Sequence, residues 1–477
     1  VGPLLITVIA IVTVHCMFLL VQCSHAQSNR TKSMSLGYAE LAEKCIGQYY
    51  PDKTHLGRYI VNTFLLITEV GFCCIYLLFV AQSLQEAFKA HVDLDVKEWV
   101  AVLLLPVILL SYIRTLKVMA FLSALSNVLY IIGITCLLVY AGRTISDDKD
   151  LPEFAGWKTV PLTFGTIMMT FEGIGVASSS LLLFCSSALL LFCSSALLLF
   201  CSSALLLFCS SALLLFCSSA LLLFCSSALL LFCSSALLLF CSSALCRAPY
   251  GEVRRLKLMK CLENTILPVE NMMAKPRYFY CVLNLGMGIV TVVYMLISVL
   301  GYLSCGLDCK DSFTLNLSDS PYHTAVKLIL AASIFSSYFI QFYVPMSIIL
   351  PPLKDKVSSK YKSLLEYAVR TVAVCFTASL AVGIPQLGNL ISLIGAVGST
   401  ALAVILPASF HILTFRYDKS LSTLCLCKDV LLIVVGIVAA SAALFTSIVN
   451  IVNGFKHPSM ATINNGTHSN STFTAVL

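Results

Sequence analysis

Residues 164–176 read "FGTIMMTFEGIGV". An apolar helical run stops at Glu172, which is set between Phe171 and the glycine pair Gly173 and Gly175. Inside a helix glycine costs about 1 kcal/mol relative to alanine, and a carboxylate resists burial in lipid. Two readings of such a stretch stand side by side. Small residues let helices pack closely, or the helix is interrupted and its exposed main-chain groups hold a ligand.

The composition around it sets the solvent. Of 477 residues, 59% are hydrophobic and only 11% charged, and the mean hydropathy is +0.93. Soluble domains carry roughly 25% charged residues, so this is the composition of an all-α integral membrane protein, with the lipid bilayer as its constant partner. A net charge of +7 without basic residues interleaved with aromatics excludes a nucleic-acid surface. Cysteines such as Cys73, Cys74, Cys136 and Cys375 lie in apolar runs and read as small hydrophobes. They suggest no metal site, disulfide scaffold or cofactor.

A membrane-crossing helix needs about 20 apolar residues. Such runs occur near 4–23, 59–82, 99–113, 119–141, 162–176, 280–303, 322–350, 364–384, 389–413 and 429–453, the third and fifth being short. The first follows Val1 with no basic residue before it, which fits a span better than a signal peptide. Lys and Arg set the orientation. The loops 24–58, 114–118, 353–363 and 414–428 carry fourteen, against seven in the alternate loops, which places the first set in the cytosol. The sequons at Asn316, Asn465 and Asn470 then fall outside as glycosylation candidates, while Asn29 falls inside.

Several stretches in order, "VHCMFLLVQCSH", "FGTIMMTFEGIGV", "SVLGYLSC", "IQFYVPMSIILP" and "LISLIGAVGSTALAVILP", resemble the proton-coupled amino acid transporters of the amino acid/auxin permease group. The resemblance implies a leucine-transporter-like inverted-repeat fold, with eleven transmembrane helices in the family. Residues 1–176 resemble its helices 2 to 6 and residues 266–453 its helices 7 to 11, leaving 454–477 as an outer tail. On this reading the family's first helix, with its unwound centre, has no counterpart in the chain.

Residues 177–265 have no counterpart in the resemblance either. From about Ser180 to Leu245 an eight-residue unit, "ALLLFCSS", recurs without a break, and "CRAPYGEVRRLKLMKCLENT" follows it. Period eight drifts against 3.6, so no fixed helical face persists. Near-perfect repetition is what a duplicated coding unit yields, and the segment reads as a low-complexity insertion of gene-model origin.

The remaining calls concern chemistry. His15 lies inside the first span, where an imidazole takes up and releases protons near physiological pH or simply hydrogen-bonds to a neighbouring helix. The family's coupling histidine stands at this position of "VHCM", so the resemblance implies proton coupling at His15. Glu69 is a carboxylate deep in an apolar span, at about 2.5–3.5 kcal/mol against insertion. It is a second proton-coupling candidate or a structural hydrogen-bonding group. The resemblance favours the interrupted helix and implies substrate contacts at Phe171, Glu172, Gly173, Ile174 and Gly175. Small neutral amino acids of the glycine, alanine and proline class are the expected substrates, moved together with protons. Facilitative transport and amino acid sensing remain the alternatives, and the chain as written, without a first helix, reads as a non-functional fragment. Glu366 and Arg370, spaced i,i+4, read as a structural ion pair, and Lys327 as a side chain that snorkels to the outer surface. No HExxH, G-x-S-x-G or paired intramembrane aspartate suggests an enzyme. Luminal sequons fit the plasma membrane as well as lysosomal or endosomal membranes.

Overall fold

The computed structural model describes residues 1–31, 36–114, 116–145, 154, 156–171, 279–306, 312–317 and 320–456. Among them every long element is a helix. In chain order these are α1 (Gly2–Thr31), α2 (Tyr38–Gly47), α3 (His55–Phe88), α4 (Val96–Ser111), α5 (Leu116–Arg143), α6 (Val160–Phe171), α7 (Phe279–Cys305), α8 (Pro321–Lys354), α9 (Lys362–Gly383), α10 (Leu387–Ile394), α11 (Leu406–Tyr417) and α12 (Thr423–Lys456). Among the described residues, eight helical stretches are long and apolar enough to cross a membrane. They cover the expected spans apart from the two short ones, which appear as α4 and α6.

The helix ends follow local chemistry. Asp95 caps α4 by accepting from the Val96 amide at 2.8 Å, and Glu98 reaches back to the Asp95 amide at 2.9 Å. Ser320 and Pro321 open α8, where the Ser320 hydroxyl accepts from the His323 amide at 3.3 Å. Side chains facing out of the bundle are apolar: α12 exposes Leu431, Val434, Val438 and Phe445, and α4 exposes Leu105 and Leu109. That is the surface a lipid-embedded bundle needs, since water is not its solvent. Inside, Cys73 and Cys74 are buried as small hydrophobes, as expected, and so are Cys16 and Cys23, whereas Cys136 and Cys375 are only half-buried.

Three expectations are corrected. Residues 24–58 are not a plain loop: α1 runs on to Thr31, and α2 is an amphipathic helix that buries Tyr38, Leu41, Ala42 and Cys45. It packs so closely on α3 that a side chain at Gly57 would collide with the Ala42 carbonyl. Burial pushes the Cys45 thiol up to about 11, which keeps it protonated and inert. Lys327 does not snorkel, because it is 1% exposed, enclosed beside Val326 and Leu330. Lys428, counted among loop cations, lies inside α12.

The Glu366–Arg370 pair forms as expected, at 3.1 Å, and it is part of a larger clamp. Lys354 of α8 meets the same carboxylate at 2.7 Å, and Arg114, just beyond α4, meets it at 3.4 Å. Arg370 also donates to the Ser111 carbonyl at 2.6 Å. One carboxylate thereby ties together the ends of α4, α8 and α9. Glu366→Ala leaves the buried Arg370 guanidinium without its counter-charge and is expected to lower stability by about 3–5 kcal/mol. Thermal unfolding of the purified protein in detergent measures this; an unchanged midpoint contradicts the clamp.

Candidate functional site

The site is organised by one close crossing. α10 continues into two successive π-helical segments, Gly395–Ser399 and Ala401–Ile405, before α11 resumes regular winding. The sequence there is "GAVGSTALAVI", whose small residues allow neighbours to approach. A side chain on Gly395 would strike the Gly165 carbonyl oxygen of α6, and one on Gly398 would strike Thr68 Oγ1 of α3. α6 and the π segment therefore meet backbone to backbone. Ser392 Oγ donates to the Leu162 carbonyl at 2.9 Å and accepts from Ser447 Oγ of α12 at 3.1 Å, which fastens the crossing from its other side.

π turns shift the i→i+4 ladder to i→i+5, and they cluster at functional sites. Side chains satisfy two carbonyls here. Thr400 Oγ1 donates to Gly395 at 2.9 Å, and the Tyr38 hydroxyl of α2 donates to Leu402 at 2.8 Å. Among the described residues, Ser399 Oγ is buried with no hydrogen-bond partner, as are Thr13 Oγ1 of α1 and Gln341 Oε1 of α8. An unmet buried polar atom costs about 1–3 kcal/mol, so such atoms are ready acceptors or donors for a polar ligand.

α6 carries the crossing towards Phe171, the last described residue of "TIMMTF", which is 0% exposed. Its ring stands edge-on to Tyr294 of α7 at a centroid distance of 5.7 Å, and the Tyr294 hydroxyl donates to the Thr170 carbonyl at 3.5 Å. Val14 and Met17 of α1, Met168, Phe171 and Leu402 belong to one apolar cluster. Glu69 is 2% exposed, with Cys73 and Tyr76 as its neighbours. Tyr76 in turn lies within hydrogen-bond reach of Gln341 and near Tyr130.

A second cluster surrounds His15. Its Nε2 stands 2.7 Å from Lys428 Nζ of α12. Lys428 Nζ is also 3.2 Å from Asp429 Oδ1, while Asp429 Oδ2 pairs with His411 Nδ1 of α11 at 2.6 Å. An ammonium donates and never accepts, so His15 Nε2 presents its lone pair to Lys428. Asp429 and His411 are buried, whereas the Lys428 side chain is 28% exposed. The chain His15–Lys428–Asp429–His411 thus runs through three helices, with one member reaching the surface. Beyond it, Gln27 of α1 contacts Thr414 of α11 at 3.5 Å, and Arg30 pairs with Asp418.

Of the residues expected at the site, Phe171 sits at the end of α6, His15 in the α1–α11–α12 cluster and Glu69 in the α3 cluster. The two proton-coupling candidates are held in these separate groups. Glu172, Gly173, Ile174, Gly175, Asn465 and Asn470, and the insertion 177–265, lie outside the described residues. Asn316 sits on a short 3₁₀ turn, where its amide donates to the Ser312 carbonyl at 3.0 Å. Lys428, Asp429 and His411 were missed. The signal was present: His411 and Asp429 fall inside apolar runs, and the rule that singled out His15 applies to both.

Buried polar chains and a π-turned helix inside a lipid-facing bundle define a multi-pass helical membrane protein with polar groups held at membrane depth. Residues 1–179 and 262–449 match the family described as transmembrane amino acid transporter protein, and the chain belongs to that family. It is 23% identical over 414 residues to the proton-coupled amino acid transporter-like protein pathetic of Drosophila melanogaster, covering 85% of this chain and 68% of that protein. With the amino acid transporter AVT3C of Arabidopsis thaliana it shares 28% identity over 184 residues, 38% of this chain and 40% of that protein. No solved structure matches it.

Gly395→Ala is expected to force α6 and the π segment apart, since the obstacle is backbone and not a flexible side chain. Overpacking of this kind costs about 1–3 kcal/mol. With that cost falling on the transport cycle, amino acid uptake by the reconstituted variant should drop about 5- to 150-fold. Gly286→Ala, where nothing lies within 4 Å, should leave uptake near wild type. Equal uptake by both variants contradicts the crossing.

Proposed function

We propose that the protein is a secondary active transporter that carries small neutral amino acids, of the glycine, alanine and proline class, together with protons. The observation that carries this reading is His15: a buried imidazole in mid-helix whose Nε2 lone pair meets a cation that itself reaches the surface. A ring nitrogen takes up and gives back one proton, so this arrangement suits a group loaded on one side and emptied on the other. The relative named as proton-coupled supports the same coupling.

In this reading the zwitterion lies at the end of α6, where Phe171, Glu172, Gly173, Ile174 and Gly175 supply apolar contact and main-chain polar groups. A helix amino terminus suits the carboxylate, and freed carbonyls suit the ammonium. Tyr294 bounds the site beside Phe171. The leucine-transporter-like inverted repeat is the architecture in which such a site sits at mid-membrane. Glu69 serves as a second titrating group, and Asn316, Asn465 and Asn470 carry glycans on the outer or luminal face of a plasma, lysosomal or endosomal membrane.

In proteoliposomes with a fixed interior pH, alanine uptake should rise as the exterior is acidified from pH 7.5 to 5.5. His15→Ala should abolish that rise. Uptake that is flat across this range, or a His15→Ala variant that keeps the wild-type pH dependence, contradicts proton coupling. A requirement for sodium moves the assignment to a sodium-coupled mechanism.

A further inference from the structure

The charged cluster around His15 contains more than a proton site needs. We propose that Lys428 is a two-position latch: its ammonium and a proton compete for the same lone pair on His15 Nε2. The inference rests on the proton-coupling reading and assigns a positioning residue to it.

The geometry supplies both positions. Lys428 Nζ now donates to His15 Nε2 at 2.7 Å, and Asp429 Oδ1 stands 3.2 Å from the same ammonium. The charged and titratable groups acting on the imidazole are His411 from α11 and Lys428 and Asp429 from α12. Only Lys428 touches Nε2 in this set. When a proton from water bonds to Nε2, the hydrogen bond from Lys428 breaks, because neither cation has a lone pair left to offer. The ammonium then moves wholly to Asp429 Oδ1. Asp429 keeps its charge, and its Oδ2 keeps His411. No group other than His15 gains a proton.

Two consequences follow. The arrangement described here is the proton-released form of His15. Loading His15 also breaks a contact between α1 and α12, while α11 stays tied to α12 through His411 and Asp429. A helix-to-helix contact that depends on one proton is a bistable element of the kind that conformational coupling requires. The partly exposed Lys428 side chain stands at the surface end of the cluster. Loop charges place that end in the cytosol, where a carried proton is released.

The test uses the full-length protein in proteoliposomes, with alanine uptake read as a function of exterior pH. Lys428→Met removes the competing cation and should raise the pH of half-maximal uptake by about one unit, a tenfold lower proton concentration. Lys428→Arg keeps the charge and should retain the wild-type half-maximal pH. If Lys428→Met reconstitutes poorly, Lys428→Cys treated with an aminoethylating reagent serves instead. The untreated thiol should show the raised value, and restoring the amine should return it. A half-maximal pH unmoved in Lys428→Met or untreated Lys428→Cys, with a pH-dependent wild type, overturns the latch and leaves proton coupling standing. A wild type that is flat in pH overturns both.

Discussion

Gly165 and Gly395 bring two backbones into direct contact, and the arrangement of both clusters depends on it. No side chain larger than hydrogen fits at either position, so the helix 387–417 is held against α6 along a fixed line. The winding change at Gly395–Ser399 and Ala401–Ile405 lies on that line. Past it, the same helix brings His411 to Asp429 of α12 and Thr414 to Gln27 of α1. One element thus touches the neighbourhood of Phe171 at one end and the charged chain of His15 at the other. In a close-packed interior such an element transmits a shift instead of absorbing it.

The charges obey a different constraint from the core. Each buried ion needs compensation close at hand, and the two clusters meet that need in opposite ways. Around Glu366 three cations converge on one carboxylate at the ends of α8 and α9, a static fastening. Around His15 the cation has a choice of two partners, of which only one is charged. The first arrangement resists change. The second is suited to it, which fits the proposed division between scaffold and moving parts.

Much of this was legible in the sequence. The long spans were, because some 20 consecutive apolar residues leave no alternative to a helix in lipid. The shortness of α4 showed in the length of its apolar run. α2 did not show, since ten amphipathic residues between charged loops carry no hydropathy signal. Nor did the π winding, because "GAVGSTALAVI" is compatible with an ordinary helix until its neighbours are in place. His15 was visible as a lone polar group in an apolar run, but its partner lies 413 positions away and looked like one more loop lysine. Lys327 failed for the related reason that burial belongs to the packing of α8 and not to distance from the helix end.

The central claim is that protonation at His15 and amino acid binding beside Phe171 are coupled through the helix 387–417. Reciprocal coupling requires that alanine binding change the number of bound protons. Calorimetric titration of the purified protein with alanine, in two buffers of different ionisation enthalpy at neutral pH, counts them. The account predicts uptake of up to about one proton per alanine bound, lost in His15→Ala. Binding heats that are identical in the two buffers, with alanine bound, contradict it.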